Sequence, residues 1–382
     1  MYYFDHNATT PVAPEVAETL SFALREVYGN ASSTHRQGQL ARQHLEDARR
    51  AIAQKLSVSP NELVITSGGT ESNNLAILGL LRNVPGRKHA ITTCIEHPSV
   101  LEAFRQAERE GVGVTYVESG PDGAVEPEAI ARALRPETVL VSVMHANNET
   151  GVLQPVAEIG RMVGERRQSD QPIFFHSDGV QAFGRVAVEP RRLGVDLYSI
   201  SSHKIFGPKG TGGLYARQGT PLARIQFGGR HERERRPGTE NVPAAMAFAH
   251  AAALCKQDHA DAIAALRDSF EAELLQRIPN TVINGANAGR LPNSSNVLFR
   301  GISAESLVIA LDMRGICVST GAACSGGSVE PSPVLLAMGL TREEARSSVR
   351  FSFGRYNSAQ EIAVLLDALA DATARLEKRR AS

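Results

Sequence analysis

Between Leu63 and Tyr215 the chain repeats one pattern: a short apolar run, rich in β-branched residues, stops abruptly at small polar or charged residues, and a helical periodicity follows. Leu63 to Thr66, His89 to Cys94, Val114 to Val117, Thr138 to Met144, Pro172 to Phe175 and Val195 to Ile200 all read this way. Near-continuous apolar strands need cover on both faces. Strands alternating with helices supply it as a mainly parallel sheet between helical layers. Such sheets bind ligands at the carboxyl ends of their strands, so the residues closing each run are the ones to read for chemistry.

The run Val195-Asp196-Leu197-Tyr198-Ser199-Ile200 hands over to Ser201-Ser202-His203-Lys204 and a Gly/Pro loop. A lysine where a core strand ends is costly unless its amine is neutralised or bonded. A Schiff base to an aldehyde cofactor does both, and Ser201 and His203 stand beside it as donors for a phosphate. Taken alone, the segment reads more plainly as a strand-end lysine reaching solvent; the other strand ends argue against that. Leu63-Val64-Ile65-Thr66 leads into Ser67-Gly68-Gly69-Thr70-Glu71, a strand, a glycine loop and a helix start. Backbone N–H groups and the positive helix end suit this segment to an anion, and taken alone a plain strand-helix turn capped by Thr70 or Ser67 accounts for it equally well. It lacks the Gly-Lys-Ser/Thr ending of a P-loop and is no dinucleotide fingerprint. Asp178 closes another run, placed to cap the next helix or to keep a pyridinium nitrogen protonated. His97 closes a third, where a helix cap is the plainer role.

With 382 residues, 42% of them hydrophobic and 21% charged, the chain has the material for two globular domains. Its formal net charge of zero gives no field favouring nucleic acid or an anionic membrane, so a small-molecule substrate is expected. Met1-Tyr2-Tyr3-Phe4-Asp5-His6 has no leader-like pattern and no apolar run approaches bilayer length, which predicts a cytoplasmic protein. Cys94, Cys255, Cys317 and Cys324 include no C-x-x-C pair and no Cys/His set at zinc spacing, so neither disulfides nor a structural metal are expected. Cys317 falls in an apolar strand and reads as structural. Cys324 lies in Thr320-Gly321-Ala322-Ala323-Cys324-Ser325-Gly326-Gly327, where nothing buries it and an exposed thiol points to function. The glycines there predict a loop without one stable conformation. Arg350, central in the alternating stretch Ser347 to Phe353, offers a guanidinium on a regular strand to a carboxylate.

Helices are expected from Pro14 to Tyr28, Gln39 to Leu56 and Pro127 to Leu134. The loop from Gly228 to Asn241 is charged and longer than a surface connection needs. One long alanine-rich helix, Pro243 to about Ile278, then reads as the connector to a second domain. That domain has a strand Ser295 to Phe299, a helix Glu305 to Arg314 and a helical carboxyl terminus from Ser358.

Several stretches, together and in this order, carry a resemblance: Asp5-His6-Asn7-Ala8-Thr9-Thr10-Pro11, Thr66-Ser67-Gly68-Gly69-Thr70-Glu71-Ser72, Glu96-His97, and His145-Ala146-Asn147-Asn148-Glu149. The others are His176-Ser177-Asp178-Gly179-Val180-Gln181, Ser201-Ser202-His203-Lys204, Arg236-Pro237-Gly238-Thr239-Glu240-Asn241, Ser319 to Ser325, and Ser348-Val349-Arg350-Phe351. The chain resembles the pyridoxal-phosphate-dependent cysteine desulfurases of the iron-sulfur-cluster and nitrogen-fixation type, in the class V aminotransferase branch. The resemblance implies an α/β protein of pyridoxal-phosphate fold type I. Its large domain, residues 13–255, would hold a mainly parallel seven-stranded sheet flanked by helices. Residues 1–12 and 256–382 would form a smaller α+β domain carrying the Cys324 loop.

By the same resemblance Lys204 carries the Schiff base, Asp178 pairs with the pyridinium nitrogen and Gln181 bonds the ring hydroxyl oxygen. His97 stacks on the ring and serves as the acid/base for thiol protons. Gly69, Thr70, Ser201 and His203 hold the phosphate, joined by Thr239 from the neighbouring subunit of a homodimer. Asn148 touches the cofactor and, with Arg350 and Asn7, holds the substrate carboxylate. Cys324 is the nucleophile; no resident metal is implied, though Cys324 is available as a transient iron-sulfur ligand. The implied reaction takes L-cysteine to L-alanine and leaves a persulfide on Cys324 for a sulfur-acceptor protein, an iron-sulfur scaffold or thiolation carrier. Arg185 departs from the family, where lysine is common, and Arg230 and Arg236 make the inter-subunit loop basic; their expected bearing is on the interface and not on the chemistry. A selenocysteine lyase or an aminotransferase on the same scaffold is the competing reading, opposed for the aminotransferase by Cys324 and its loop. A non-catalytic docking scaffold would be expected to lack Lys204 or Cys324, and both are present.

Overall fold

The apolar runs pair side by side in a computed structural model that describes residues 1–86, 88–167, 172–320 and 330–381. After a two-residue strand β1 (Tyr2–Tyr3) come β2 (Leu63–Thr66), β3 (His89–Thr93), β4 (Gly113–Val117), β5 (Thr138–Ser142), β6 (Phe174–Asp178), β7 (Leu197–Ser201) and β8 (Gly212–Ala216). These last seven form one sheet in the order β2-β8-β7-β6-β5-β3-β4. All neighbours are parallel except at β8, which runs against both β7 and β2. The stretch joining β7 to β8 is too short for a helical crossover, so the chain can only turn back on itself.

Every residue of β5, β7 and β8 is buried, as a sheet covered on both faces requires. Successive residues enter opposite layers. Ile65, Val141 and Tyr198 join one apolar cluster, while Val64, Leu140 and Leu197 join the other.

A second, antiparallel sheet has the order β12-β10-β9, from β9 (Thr281–Asn284), β10 (Ser294–Phe299) and β12 (Ser348–Ser352). Its separate core gathers Phe4, Phe270, Phe299, Phe351 and Phe353. The short β11 (Ile316–Cys317) pairs in parallel with β1, so the amino terminus is part of this second unit.

The single helix expected from Pro243 to Ile278 is two helices, Val242–Ala253 and Gln257–Arg277. The first is buried nearly all round, against helices Pro14–Glu26 and Arg36–Lys55. The second commits only Phe270, Leu274 and Ala260 to burial. Between them Lys256 is extended, at φ −120° and ψ 151°, and the Cys255 carbonyl accepts 2.6 Å from Lys55 Nζ. No Gly or Pro marks the break; two different burial demands meet there, which periodicity alone does not show. Helix Arg36–Lys55 also starts earlier than expected, because the His35 side chain caps it by accepting from the Gly38 N–H. No helix among the described residues is long and apolar enough to cross a membrane.

The charged loop from Gly228 to Asn241 is pinned to the edge of the large sheet. Glu232, Arg233 and Glu234 all adopt positive φ, at 45°, 56° and 63°, a conformation that needs outside support in non-glycine residues. Arg49 supplies it through a bidentate pair to Glu232 at 2.6 and 2.7 Å, with both side chains 3% exposed, and the Ile65 N–H adds a third donor at 2.9 Å. Arg49→Ala strands the buried Glu232 carboxylate and is expected to cost about 3–5 kcal/mol. Urea denaturation checks it; a loss within about 0.5 kcal/mol, as at an ordinary surface site, would show that the pair does not hold the loop.

Candidate active site

A cleft of about 360 Å³ opens at the carboxyl ends of the parallel strands and is closed on its far side by β12. At its floor β2 ends in the glycine loop, where Gly68 takes φ 152° and the helix Gly69–Asn83 begins with no side-chain cap. Its leading backbone donors therefore lack the usual side-chain acceptor and face the cleft with the positive end of the helix. Ser201, at the end of β7, is 1% exposed and its hydroxyl has no protein partner. His203 follows, its Nδ1 3.1 Å from the Thr9 hydroxyl; burial, then Lys204, press its pKa to about 4, so the ring is neutral. Thr70 sits exposed at the rim. An uncapped helix end beside an unpartnered hydroxyl is a donor set that fits a phosphate.

Asp178 closes β6 and is held at both oxygens: Asn73 Nδ2 donates at 2.7 Å and the Val180 N–H at 2.9 Å. The Val180 contact is the local turn bond that the capping reading anticipated, but no helix follows it. Asn73 was not singled out in the sequence. It stands one turn into the helix that the glycine loop starts, so the loop that opens the phosphate end also steadies the carboxylate. Gly179 is required by packing, because a Cβ there would stand 1.9 Å from the Tyr198 ring. Tyr198 in turn bonds His145 Nδ1 at 2.7 Å.

Lys204 ends a short 3-10 turn directly after β7. Its amine donates to the carbonyls of Asn7 and Ala8, the latter at 2.7 Å. Burial foremost, then the charges of Arg185 and Arg350, press its pKa to about 7 against the opposing pull of Asp178 and Asp5. An ordinary lysine is one part in a few thousand free amine at neutral pH; this one is about half. That makes it a nucleophile toward a carbonyl. An uncapped helix end, a clamped aspartate and a partly neutral amine thus stand in one cleft, a set that fits the phosphate, ring nitrogen and aldehyde of a pyridoxal phosphate.

His97 caps the helix Pro98–Arg109, accepting from the Ser99 N–H at 3.1 Å, and its ring also lines the cleft. Nδ1 being an acceptor, the proton of the neutral ring belongs to Nε2. Just behind it the buried Glu96 carboxyl is pushed up to about 8, so it stays protonated at neutral pH. Arg350, 4% exposed on β12, donates to the Asn148 carbonyl at 2.9 Å and pairs with Asp5 at 2.8 Å. Asn7 is wholly engaged: its amide nitrogen donates to Ser294 Oγ and the Asn148 carbonyl, and its side-chain oxygen accepts from Asn293 and Arg185. Gln181 donates from Nε2 to the Asn7 carbonyl at 3.0 Å.

Of the residues predicted from sequence, Asn7, Gly69, Thr70, His97, Asn148, Asp178, Gln181, Ser201, His203, Lys204 and Arg350 all line this cleft. Thr239 does not; it is exposed on the charged loop, which Arg236 ties to Glu71 beside the glycine loop at 3.0 Å. Cys324 and the conformation expected of its loop lie outside the described residues. Ser319 before it lines the cleft and exchanges backbone hydrogen bonds with Arg350. Arg185, expected to bear on the subunit interface, stands part-buried behind Lys204 and is bonded to residues of the cleft. Among the described residues no three His, Cys, Asp or Glu side chains are grouped to hold a metal.

The family model for class-V aminotransferases matches residues 2–365. A cysteine desulfurase IscS of Dictyoglomus turgidum is 41% identical over 96% of this chain and 93% of its own. One from Pseudomonas aeruginosa is 42% identical over 98% and 93%. Among solved structures, a NifS-like protein superposes with a TM-score of 0.90 at 34% identity, covering 98% of this chain and 100% of that one. A structure described as SspA in complex with cysteine gives a TM-score of 0.83 at 32% identity, over 94% and 100%. Similarity at this level along almost the entire chain leaves one assignment: the protein belongs to the class-V aminotransferases, a pyridoxal-phosphate-dependent family, and groups within it with the cysteine desulfurases.

Proposed function

We propose that the protein is a cysteine desulfurase that uses pyridoxal phosphate to take L-cysteine to L-alanine and receives the sulfur on Cys324. The observation that carries this reading is a lysine half neutral near pH 7 in the same cleft as a buried aspartate clamped by two N–H donors. Relatives about 41% identical and named cysteine desulfurases support the same activity. When bound, pyridoxal phosphate withdraws electrons from the substrate Cα and acidifies its proton.

The chain's own groups divide the remaining work. Lys204 Nζ takes the proton from Cα and supplies one back to carbon. Asp178 faces the ring nitrogen, Gln181 the ring hydroxyl oxygen, and Gly69, Thr70, Ser201 and His203 the phosphate. Arg350 and Asn148, with Asn7 behind them, hold the substrate carboxylate. The Cys324 thiolate attacks the substrate sulfur; the new S–S bond forms as the C–S bond breaks, and that bond's electron pair stays with the carbon skeleton, which becomes alanine on protonation. His97 Nε2 exchanges the thiol proton. Residues 13–255 act as the large domain and 1–12 with 256–382 as the small one. In a cytoplasmic homodimer Thr239 reaches the partner's phosphate site, and the persulfide passes to a sulfur-acceptor protein.

With L-cysteine and added thiol, the purified protein is expected to release alanine and sulfide in equal amounts. Lys204→Ala lowers that turnover by at least about 10²-fold. Cys324→Ala still changes the visible spectrum on binding cysteine but forms no alanine without thiol, where the unaltered protein forms about one equivalent per site. A keto acid in place of alanine would make the protein an aminotransferase. Asn73→Ala removes a donor from Asp178, a contact worth about 1.5–3 kcal/mol when the acceptor is charged. The cofactor dissociation constant is therefore expected to rise about 10- to 100-fold; an unchanged constant would mean that Asp178 does not depend on Asn73.

A further inference from the structure

Arg185 makes five hydrogen bonds to three separate segments of the chain. Its guanidinium donates to the His6 carbonyl at 3.1 Å, the Asn7 side-chain oxygen at 3.0 Å, the Lys204 carbonyl at 3.2 Å, and both the carbonyl, at 3.3 Å, and the side-chain oxygen of Gln181. Every acceptor is neutral. The crevice behind it, which Lys256, His259 and Arg355 also line, has no Asp or Glu among its lining residues. A charge placed among neutral acceptors, without a carboxylate, is costly to keep. Burial lowers its pKa only to about 10, so at neutral pH the charge remains.

Two consequences follow for the cofactor site. A guanidinium can only donate, so the Gln181 amide oxygen is obliged to face Arg185 and the NH2 group to turn away. One hydrogen of that group goes to the Asn7 carbonyl, and the other is left for the cleft that Gln181 lines. The same guanidinium grips residues 6 and 7, the strip of backbone whose next carbonyls, Asn7 and Ala8, receive the Lys204 amine. We propose that Arg185 is a positioning residue of the active site, aiming the Gln181 amide into the cofactor site and setting a fixed positive charge beside Lys204.

The charged groups around Lys204 are Arg185 from the turn after β6, Arg350 from β12, Asp178 from the end of β6 and Asp5 from the amino-terminal segment; the neutral His97 and His203 complete the surroundings. After burial, Arg185 is the largest of these influences and acts against a proton on Nζ. A lysine in its place would keep the charge but could not span five acceptors with one ammonium.

The inference rests on the cofactor reading of the cleft; a visible band in the unaltered holoenzyme tests that reading by itself, and only differences between variants test Arg185. The readout is the pH at which the resting visible band changes, which reports the proton held at Lys204 Nζ, together with the cofactor dissociation constant. Arg185→Met is expected to move that midpoint upward by about one unit, a tenfold gain in proton affinity, and to weaken cofactor binding. Arg185→Lys is expected to keep the midpoint and weaken cofactor binding less. A residue that only stabilises the fold would lower the melting temperature in both variants and leave the midpoint unmoved, and that result overturns the proposal. If Arg185→Met does not fold, Arg185→Gln, which keeps an amide donor without the charge, is held to the same criterion: an unmoved midpoint overturns the proposal.

Discussion

Positive charge carried into the space between the two sheets is the constraint on which this structure turns. Arg185 and Arg350 both act on Lys204 there, and Asp178 and Asp5 oppose them. Each cation meets the cost differently. Arg350 takes a carboxylate, Arg185 takes neutral oxygens, and Lys204 gives up its proton half of the time near pH 7. Only a lysine can make the last choice, because a guanidinium stays charged under all ordinary conditions. The two arginines thus lower the proton affinity of the amine without bonding to it.

The amino-terminal segment is what brings these charges together. Tyr2 and Tyr3 pair with β11, Phe4 enters the second core, and Asn7 bonds Ser294 from β10 while its carbonyl receives Gln181 and Lys204 from the large sheet. Seven residues therefore join both units and the cleft between them. Loss of this strip would remove acceptors for Lys204, Gln181 and Arg185 at once.

Most of this architecture was legible because strands buried on both faces must be apolar and must end where polarity returns. Asp178, Ser201, Lys204 and His97 stand at such ends, so their gathering in one cleft follows from the strand pattern and the resemblance together. Asn73 and Arg185 were not legible as site residues. One is an ordinary polar residue one turn into a helix, the other an arginine in a turn, and neither position says what the side chain meets after the chain folds back. The break at Cys255 and Lys256 was hidden for a related reason: Lys55 secures it from two hundred residues earlier in sequence. The reversed direction of β8 could have been inferred from the shortness of its connection to β7.

The ion pair between Arg350 and Asp5 gives the cleft an internal stand-in for a ligand. A carboxylate arriving from solvent would meet a guanidinium partnered by Asp5 at 2.8 Å through one nitrogen and with Nε still unpartnered, so it would compete with Asp5 for the same group. Wherever it took the place of Asp5, its affinity would be lowered by the contact it replaced. Such a device spares the empty enzyme a stranded arginine. A carboxylate leaving Arg350 would likewise leave behind a replacement tethered on the same chain.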